Sequence, residues 1–254
     1  MVYIVGAGPG DPELITVKGQ KILRTADVVI YAGSLVNPEL LQLCRPDVEV
    51  HNSAQMTLDE VIRVTEKAEK SGKMTVRLHT GDPAIYGAIR EQMDEFEKRG
   101  IDFEIIPGVS SFLAAAAALK AEYTLPGISQ TVILTRQGGR TPVPDRESLK
   151  NLARHKSTMC IFLSVNLIDK VVSDLIQGGF SKDTPVAVVY RASQPNEKIL
   201  RGTLETISES VSENKIDRTA LIIVGYCLDC ESEVYEKSKL YSPTFSHGFR
   251  KAKL

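Results

Sequence analysis

Two turns rich in glycine and proline, Val5-Gly6-Ala7-Gly8-Pro9-Gly10-Asp11-Pro12 and His79-Thr80-Gly81-Asp82-Pro83-Ala84-Ile85-Tyr86-Gly87, each follow a short apolar run. Turns of this kind stand at the carboxyl ends of strands in an open α/β sheet, where ligands bind, and they offer backbone amides, carbonyls and one carboxylate each. That chemistry suits a small-molecule enzyme. The first turn resembles a dinucleotide fingerprint only superficially. Asp11 occupies the place of its third glycine, and Pro9 and Pro12 remove amide donors that a pyrophosphate would need. The acid expected after the second strand is missing too, because Asp27 precedes the run Val28-Val29-Ile30-Tyr31. An NAD-dependent oxidoreductase is therefore the second reading rather than the first.

The elements that must carry these turns alternate. Apolar runs predict strands over 2–5, 28–31, 74–78 and 103–106, and helical spacing predicts helices over 17–24, 37–43, 58–70 and 84–98. Such alternation implies an α/β fold with a parallel sheet covered on both faces. After Pro107-Gly108-Val109-Ser110-Ser111 comes a run of alanines, 114–118, that lets a helix press closely on its neighbour. Turn residues in 121–127 place a boundary there. A second alternation follows, with strands over 131–135, 159–164, 186–190 and 220–224 and helices over 146–153, 167–176 and 204–212, the middle helix ended by Gly178-Gly179. The expected organisation is a lobe of residues 1–120, a lobe of 121–230 and a polar tail of 231–254.

With 254 residues, of which 43% are hydrophobic and 25% charged, the chain can bury one large or two medium cores. Thirty-one basic against 32 acidic residues leave a net charge of -1, which argues against a nucleic-acid or anionic-membrane surface. No apolar stretch reaches the roughly 18 residues of a membrane span. Met1 opens directly on a strand pattern without a signal sequence, so the expected location is cytoplasmic. The single C-x-x-C, Cys227 to Cys230, lacks the second pair or histidines of a structural zinc site, and no metal site is expected. Cys160, inside Met159-Cys160-Ile161-Phe162-Leu163, is read as core.

The turn from Gly6 to Asp11, the block Val76-Arg77-Leu78-His79-Thr80-Gly81-Asp82-Pro83 and the turn Pro107-Gly108-Val109-Ser110-Ser111 resemble the three hallmark segments of the tetrapyrrole (class III) methyltransferases. Thr184 to Tyr190 and Glu197 to Leu204 are similar to that family's second-lobe signature, so the resemblance spans residues 3–228. It implies two α/β lobes with an active-site trough between them, S-adenosyl-L-methionine as methyl donor, a tetrapyrrole small molecule as acceptor, and a homodimer. Four inner segments, 31–38, 51–57, 130–136 and 139–144, resemble a single branch of the family. A non-catalytic tetrapyrrole carrier is a third reading.

Position by position, the resemblance assigns donor contacts to Pro9, Gly81, Asp82, Ile85, Ser110 and Ser111, and in the second half to Ser164, Ala192, Thr219 and Ala220. It implies no dedicated catalytic nucleophile, since the methyl arrives activated and the electron-rich macrocycle attacks. The acceptor's many carboxylates call for arginine forks and hydroxyl or backbone donors. Ser34, Tyr86, Arg136, Arg140 and Arg191 are the candidates for that contact, and Asp11 is a candidate for a role beside the substrate. Plainer roles stand beside these: Asp82 and the two serines as helix caps, Asp11 as a turn former, and His79 as a packed strand-end residue.

Overall fold

The computed structural model describes residues 1–229 and 237–252. The fold is α/β, in two compact units: residues 1–115 with 191–197, and residues 116–190 with the described residues from 198 onward. The first contains β1 (Val2–Gly6), α1 (Val17–Thr25), β2 (Val28–Tyr31), β3 (Glu49–Asn52), α2 (Leu58–Lys70), β4 (Thr75–His79), α3 (Arg90–Lys98) and β5 (Phe103–Ile106). Helix α4 (Ser111–Leu119) carries the chain across the boundary. The five strands pair in the order β3-β2-β4-β1-β5, all parallel.

Local chemistry explains these elements. Helix α2 starts at Thr57, whose hydroxyl accepts from the Glu60 amide while the Glu60 carboxylate accepts from the Thr57 amide, a reciprocal cap. Its buried Val61, Ile62, Thr65 and Ala68 fall on one stripe. Strands β1 and β4, in mid-sheet, are covered on both faces, and all five residues of β4 are buried. One face packs Val5, Leu23, Val29 and Leu78, and the other Val2, Ile4, Ile62 and Phe96.

Three expectations need correction here. Strand β3, exposed along most of its length, carried no apolar signal and was not anticipated. The helix expected over 37–43 is a 3-10 turn, Pro38–Leu43, capped by Asn37. The helix expected over 84–98 begins only at Arg90, because Tyr86 and Ala88 adopt left-handed backbone (φ +55° and +48°) that no α-helix tolerates.

The second unit contains β6 (Val132–Arg136), α5 (Leu149–Leu152), β7 (Thr158–Phe162), α6 (Ile168–Gln177), β8 (Pro185–Tyr190), β9 (Lys198–Thr203), α7 (Ile207–Glu213) and β10 (Ala220–Val224). Its sheet, β6-β7-β10-β8-β9, is mixed: β6 and β7 run parallel, whereas β10 is antiparallel to both β7 and β8, and β9 antiparallel to β8. The repeat of a parallel alternation expected from sequence is thus corrected. Met159, Ile161, Val171, Leu175, Val188, Ile222 and Val224 form its core. Helix α6 ends as the glycine pair foretold, with Gly179 at φ +113° and the Phe180 amide donating to the Leu175 carbonyl.

Cys160 is fully buried, and burial pushes its thiol up to about 12. Cys227 is buried as well, while Cys230 lies outside the described residues. Of the segment expected as a polar tail, residues 237–252 include a 3-10 turn at Lys239–Tyr241, whose Leu240 carbonyl and the Ser242 carbonyl accept from the Arg250 guanidinium at 2.6 and 2.7 Å.

Candidate active site

The parallel register aligns Gly6 with His79 and Val5 with Ile106, so the turns after β1, β4 and β5 leave the sheet side by side. Their backbones touch. A Cβ on Gly6 would lie 2.6 Å from Gly108 Cα and 2.7 Å from the Gly81 oxygen, and one on Gly108 would lie 2.2 Å from that same oxygen. Gly8 and Gly81, both left-handed (φ +79° and +60°), exchange backbone hydrogen bonds of 3.2 and 2.7 Å. Gly8 combines that backbone with close approach, its would-be Cβ lying 2.9 Å from the Leu14 oxygen, and only glycine tolerates both. The three hallmark segments therefore form one main-chain cluster.

Asp82 ties two of these turns together. Its Oδ1 accepts from the Ala84 amide at 2.8 Å, and its Oδ2 accepts from the Gly108 amide at 2.9 Å. Pro9, Gly81 and Ser110 are buried beside it, with Asp82, Ile85 and Ser111 half-buried. The structure brings all six into this cluster at the strand ends. Asp11 behaves as the plainer reading held: its Oδ1 caps the 3-10 turn Pro12–Leu14 through the Glu13 amide at 2.8 Å.

Segment 191–197 packs in the same unit. The Asp11 amide donates to Ser193 Oγ at 3.0 Å, and a Cβ on Gly10 would meet the Gln194 side chain at 2.4 Å. This brings Arg191, half-buried, and Ala192, buried, to the unit that holds the first turn. Ser193 and Gln194 escaped sequence reading, because left-handed backbone at Arg191 and Ser193 (φ +50° and +65°) leaves no periodic trace. Asn37, also missed, donates to the Gly10 carbonyl at 2.8 Å; the signal was its place before Pro38, which marks a cap. Ser34 is exposed on the turn after β2, and Tyr86 is exposed on the second turn.

In the second unit, register puts the carboxyl ends of β6, β7 and β8 and the start of β10 on one edge: Arg136 pairs with Phe162, Ile222 with Ile161 and Ala220 with Tyr190. That edge gathers Arg136, Ser164, Thr219 and Ala220, while Arg140 is exposed on the loop beyond β6. The Ser164 side chain is fully buried and spent internally, accepting from the Gln137 amide at 2.8 Å and donating to the Phe162 carbonyl at 2.5 Å. The Arg136 guanidinium is likewise engaged, donating to the Thr141 and Pro142 carbonyls at 3.1 and 2.8 Å, so it shapes its own loop.

Strain marks the same places. Among the described residues, Tyr86, Ala88, Leu163, Arg191, Ser193 and Thr219 hold positive φ at strand ends, whereas Lys120, Lys156 and Lys215 merely follow helix termini. Such backbone costs on the order of 1–3 kcal/mol per residue and concentrates where a ligand is met. Thr219 is β-branched, and Leu163 is 63% exposed.

His79 is buried at the end of β4 with no partner for Nε2 among the described residues, and burial, helped by the Arg77 charge, pulls its pKa down to about 3. It is a neutral packed residue, as read from sequence, and not a base. Because the unfolded imidazole binds a proton near 6.5 and the folded one does not, stability is full above that value and falls with acidification. Between about pH 7.5 and pH 5 the loss from this residue is expected to be about 2 kcal/mol. Denaturant titrations at both pH values should show that fall in the wild type and a smaller one in His79→Leu.

The first turn also disposes of the dinucleotide reading. It feeds a 3-10 turn, and α1 starts only at Val17 after Thr16 caps it, so the turn does not open directly into a helix as a dinucleotide fingerprint does. The family model of tetrapyrrole (corrin/porphyrin) methylases matches residues 1–208. A cobalt-precorrin-4 C(11)-methyltransferase of Methanocaldococcus jannaschii is 60% identical over 251 residues, covering 99% of this chain and 96% of that one. The crystal structure of a cobalamin biosynthetic enzyme, cobalt precorrin-4 methyltransferase, is 52% identical and superposes with a TM-score of 0.88, covering 90% of this chain and 95% of that one. Uroporphyrin-III C-methyltransferase of Thermus thermophilus, complexed with S-adenyl homocysteine, is 29% identical with a TM-score of 0.75, covering 94% and 96%. The chain belongs to the tetrapyrrole methylase family.

Proposed function

We propose that this protein transfers a methyl group from S-adenosyl-L-methionine to C11 of a precorrin-4 macrocycle, in its cobalt-bearing form, as a step of cobalamin synthesis. The reading is carried by the joined main-chain cluster of Gly6, Gly81 and Gly108 in a chain 60% identical to a cobalt-precorrin-4 C(11)-methyltransferase. The residues present fit the donor. Their turns offer backbone at places where a Cβ would not fit, and the Asp82 carboxylate is already occupied by two amides, which suits recognition by main chain.

When bound, S-adenosylmethionine supplies a methyl on a sulfonium, activated for in-line displacement by a ring carbon. Pro9, Gly81, Asp82, Ile85, Ser110, Ser111, Ala192, Ser164, Thr219 and Ala220 are proposed to hold it, Ser164 and Asp82 by fixing backbone. Their work is alignment, which in favourable cases supplies roughly 7 to 11 kcal/mol of a barrier. Tyr86, Ser34, Asp11, Arg140 and Arg191 are proposed to meet the acceptor, with Arg136 shaping the loop on which Arg140 stands. The protein is proposed to act as a cytoplasmic homodimer.

The test is to incubate purified protein with carbon-13 methyl-labelled donor and precorrin-4 or cobalt-precorrin-4, then to locate the label by NMR. Methyl at C11 is expected. Methylation of uroporphyrinogen III or of another precorrin in preference would move the reading to another branch, and stabilisation by NADH but not by S-adenosylhomocysteine would end it.

A further inference from the structure

Beneath the second turn lies a polar relay that the donor and acceptor contacts do not use. Arg77, in mid-sheet on β4, is buried and makes no ion pair among the described residues. Burial alone lowers its pKa to about 10, so the guanidinium is a charged group sealed in the interior at neutral pH. Its Nε donates to Gln92 Oε1 at 3.0 Å and one terminal nitrogen donates to the Ile30 carbonyl at 3.1 Å. Gln92, 6% exposed on α3, then donates from Nε2 to the Ala88 carbonyl at 3.0 Å. Ala88 is one of two non-glycine residues near the end of this turn that adopt left-handed backbone; the other is Tyr86.

The turn thus has two anchors of different kinds. Asp82 fixes its start to the Gly108 turn, and Gln92 fixes its end to the sheet. A strained segment persists only where its surroundings over-determine it. Among the described residues, donation by Gln92 is the one side-chain bond to the Ala88 carbonyl, and Arg77 makes that donation directional, because it claims the amide oxygen and leaves the nitrogen to face Ala88.

We propose that Gln92, oriented by Arg77, is a positioning residue that fixes the Tyr86–Ala88 end of the second turn and thereby sets affinity for the acceptor, leaving the donor to the Asp82 end. This rests on the methyltransferase reading for its kinetic consequence and on geometry alone for the anchoring. It separates two functions along one segment, residues 79–88.

Gln92→Glu tests it, since a carboxylate keeps the Arg77 contact and even pairs its charge, but cannot donate to Ala88. The melting temperature should stay at or above that of wild type. Hydrogen exchange by mass spectrometry should accelerate several-fold in peptides covering residues 84–89 and nowhere else. The acceptor KM should rise about five- to tenfold, the loss of one hydrogen bond, while calorimetric affinity for S-adenosylhomocysteine stays within about twofold. Gln92→Met, which removes both bonds, should add a lower melting temperature to the same KM rise. Unchanged exchange over 84–89, or equal shifts for donor and acceptor, overturns the proposal. If exchange responds as expected but the wild type methylates no precorrin, the function reading fails and the anchoring stands.

Discussion

Gly108→Ala is expected to lose about 3 kcal/mol of stability and most of the affinity for S-adenosylhomocysteine, the upper range for an overpacked interior. The new Cβ would lie 2.2 Å from the Gly81 carbonyl oxygen and 2.8 Å from Gly6 Cα. Both are backbone atoms at the ends of β4 and β1, the central strands of their sheet, so no rotamer change can make room. Relief requires the third turn to withdraw, which breaks the Asp82 bond to the Gly108 amide. Gly100→Ala is the control: Gly100 is left-handed too, at φ +63°, but nothing stands within 4 Å of its would-be Cβ. Its cost should be only the backbone term, about 1–2 kcal/mol, with donor binding intact. Urea denaturation and calorimetry measure both variants, and a Gly108→Ala protein within about 0.5 kcal/mol of wild type would refute the cluster's role.

Asp82→Ala should weaken donor affinity by at least about tenfold and lower stability by about 1–2 kcal/mol, because two amides lose a charged acceptor at once. The stability loss follows from geometry that sequence could not show. Its aspartate-before-proline pattern foretold the cap on Ala84, but the bond to Gly108, 26 residues away, makes the side chain a strut between turns. Asp82→Asn should fall between the two, since an amide has one accepting oxygen and must lose the carboxylate's grip on one of the two donors. Full donor affinity in a folded Asp82→Ala protein, measured by calorimetry, would remove the residue from the donor site.

Much of the first unit was legible because its signals are local. Apolar runs gave β1, β2, β4 and β5 nearly to the residue, and helical spacing gave α2 from Leu58 to Lys70. The glycines of the three turns were visible, yet their mutual contact is a product of register. What escaped depended on tertiary setting. Strand β9 is largely exposed, with Lys198, Arg201 and Gly202 in six residues, so neither periodicity nor propensity announced it; it exists because β8 offers a partner. That missing strand is why the second sheet looked parallel. The stretch 84–89 reads as helix in composition, whereas Gly87 sits where a Cβ would lie 2.1 Å from the Pro83 oxygen and its neighbours are left-handed.

The site showed a similar division. Residue types at strand ends pointed to three turns that the structure joins, but not to which atoms of them were free. Ser164, Arg136 and Asp82 each proved to spend their polar groups on the protein itself. The stretch 191–197 was assigned to the second lobe by its place in the chain and packs in the first unit.

That last feature bears on biosynthesis. Ser193 receives the Asp11 amide across 182 positions, and Gln194 lies against Gly10. A nascent chain leaving the ribosome can build β1 to β5 early, but its first turn stays uncovered until some eighty further residues have been translated. The strand-end rim of the opening half is therefore completed late, so a stalled or cleaved polypeptide ending before residue 191 would carry a folded sheet with its first turn uncovered.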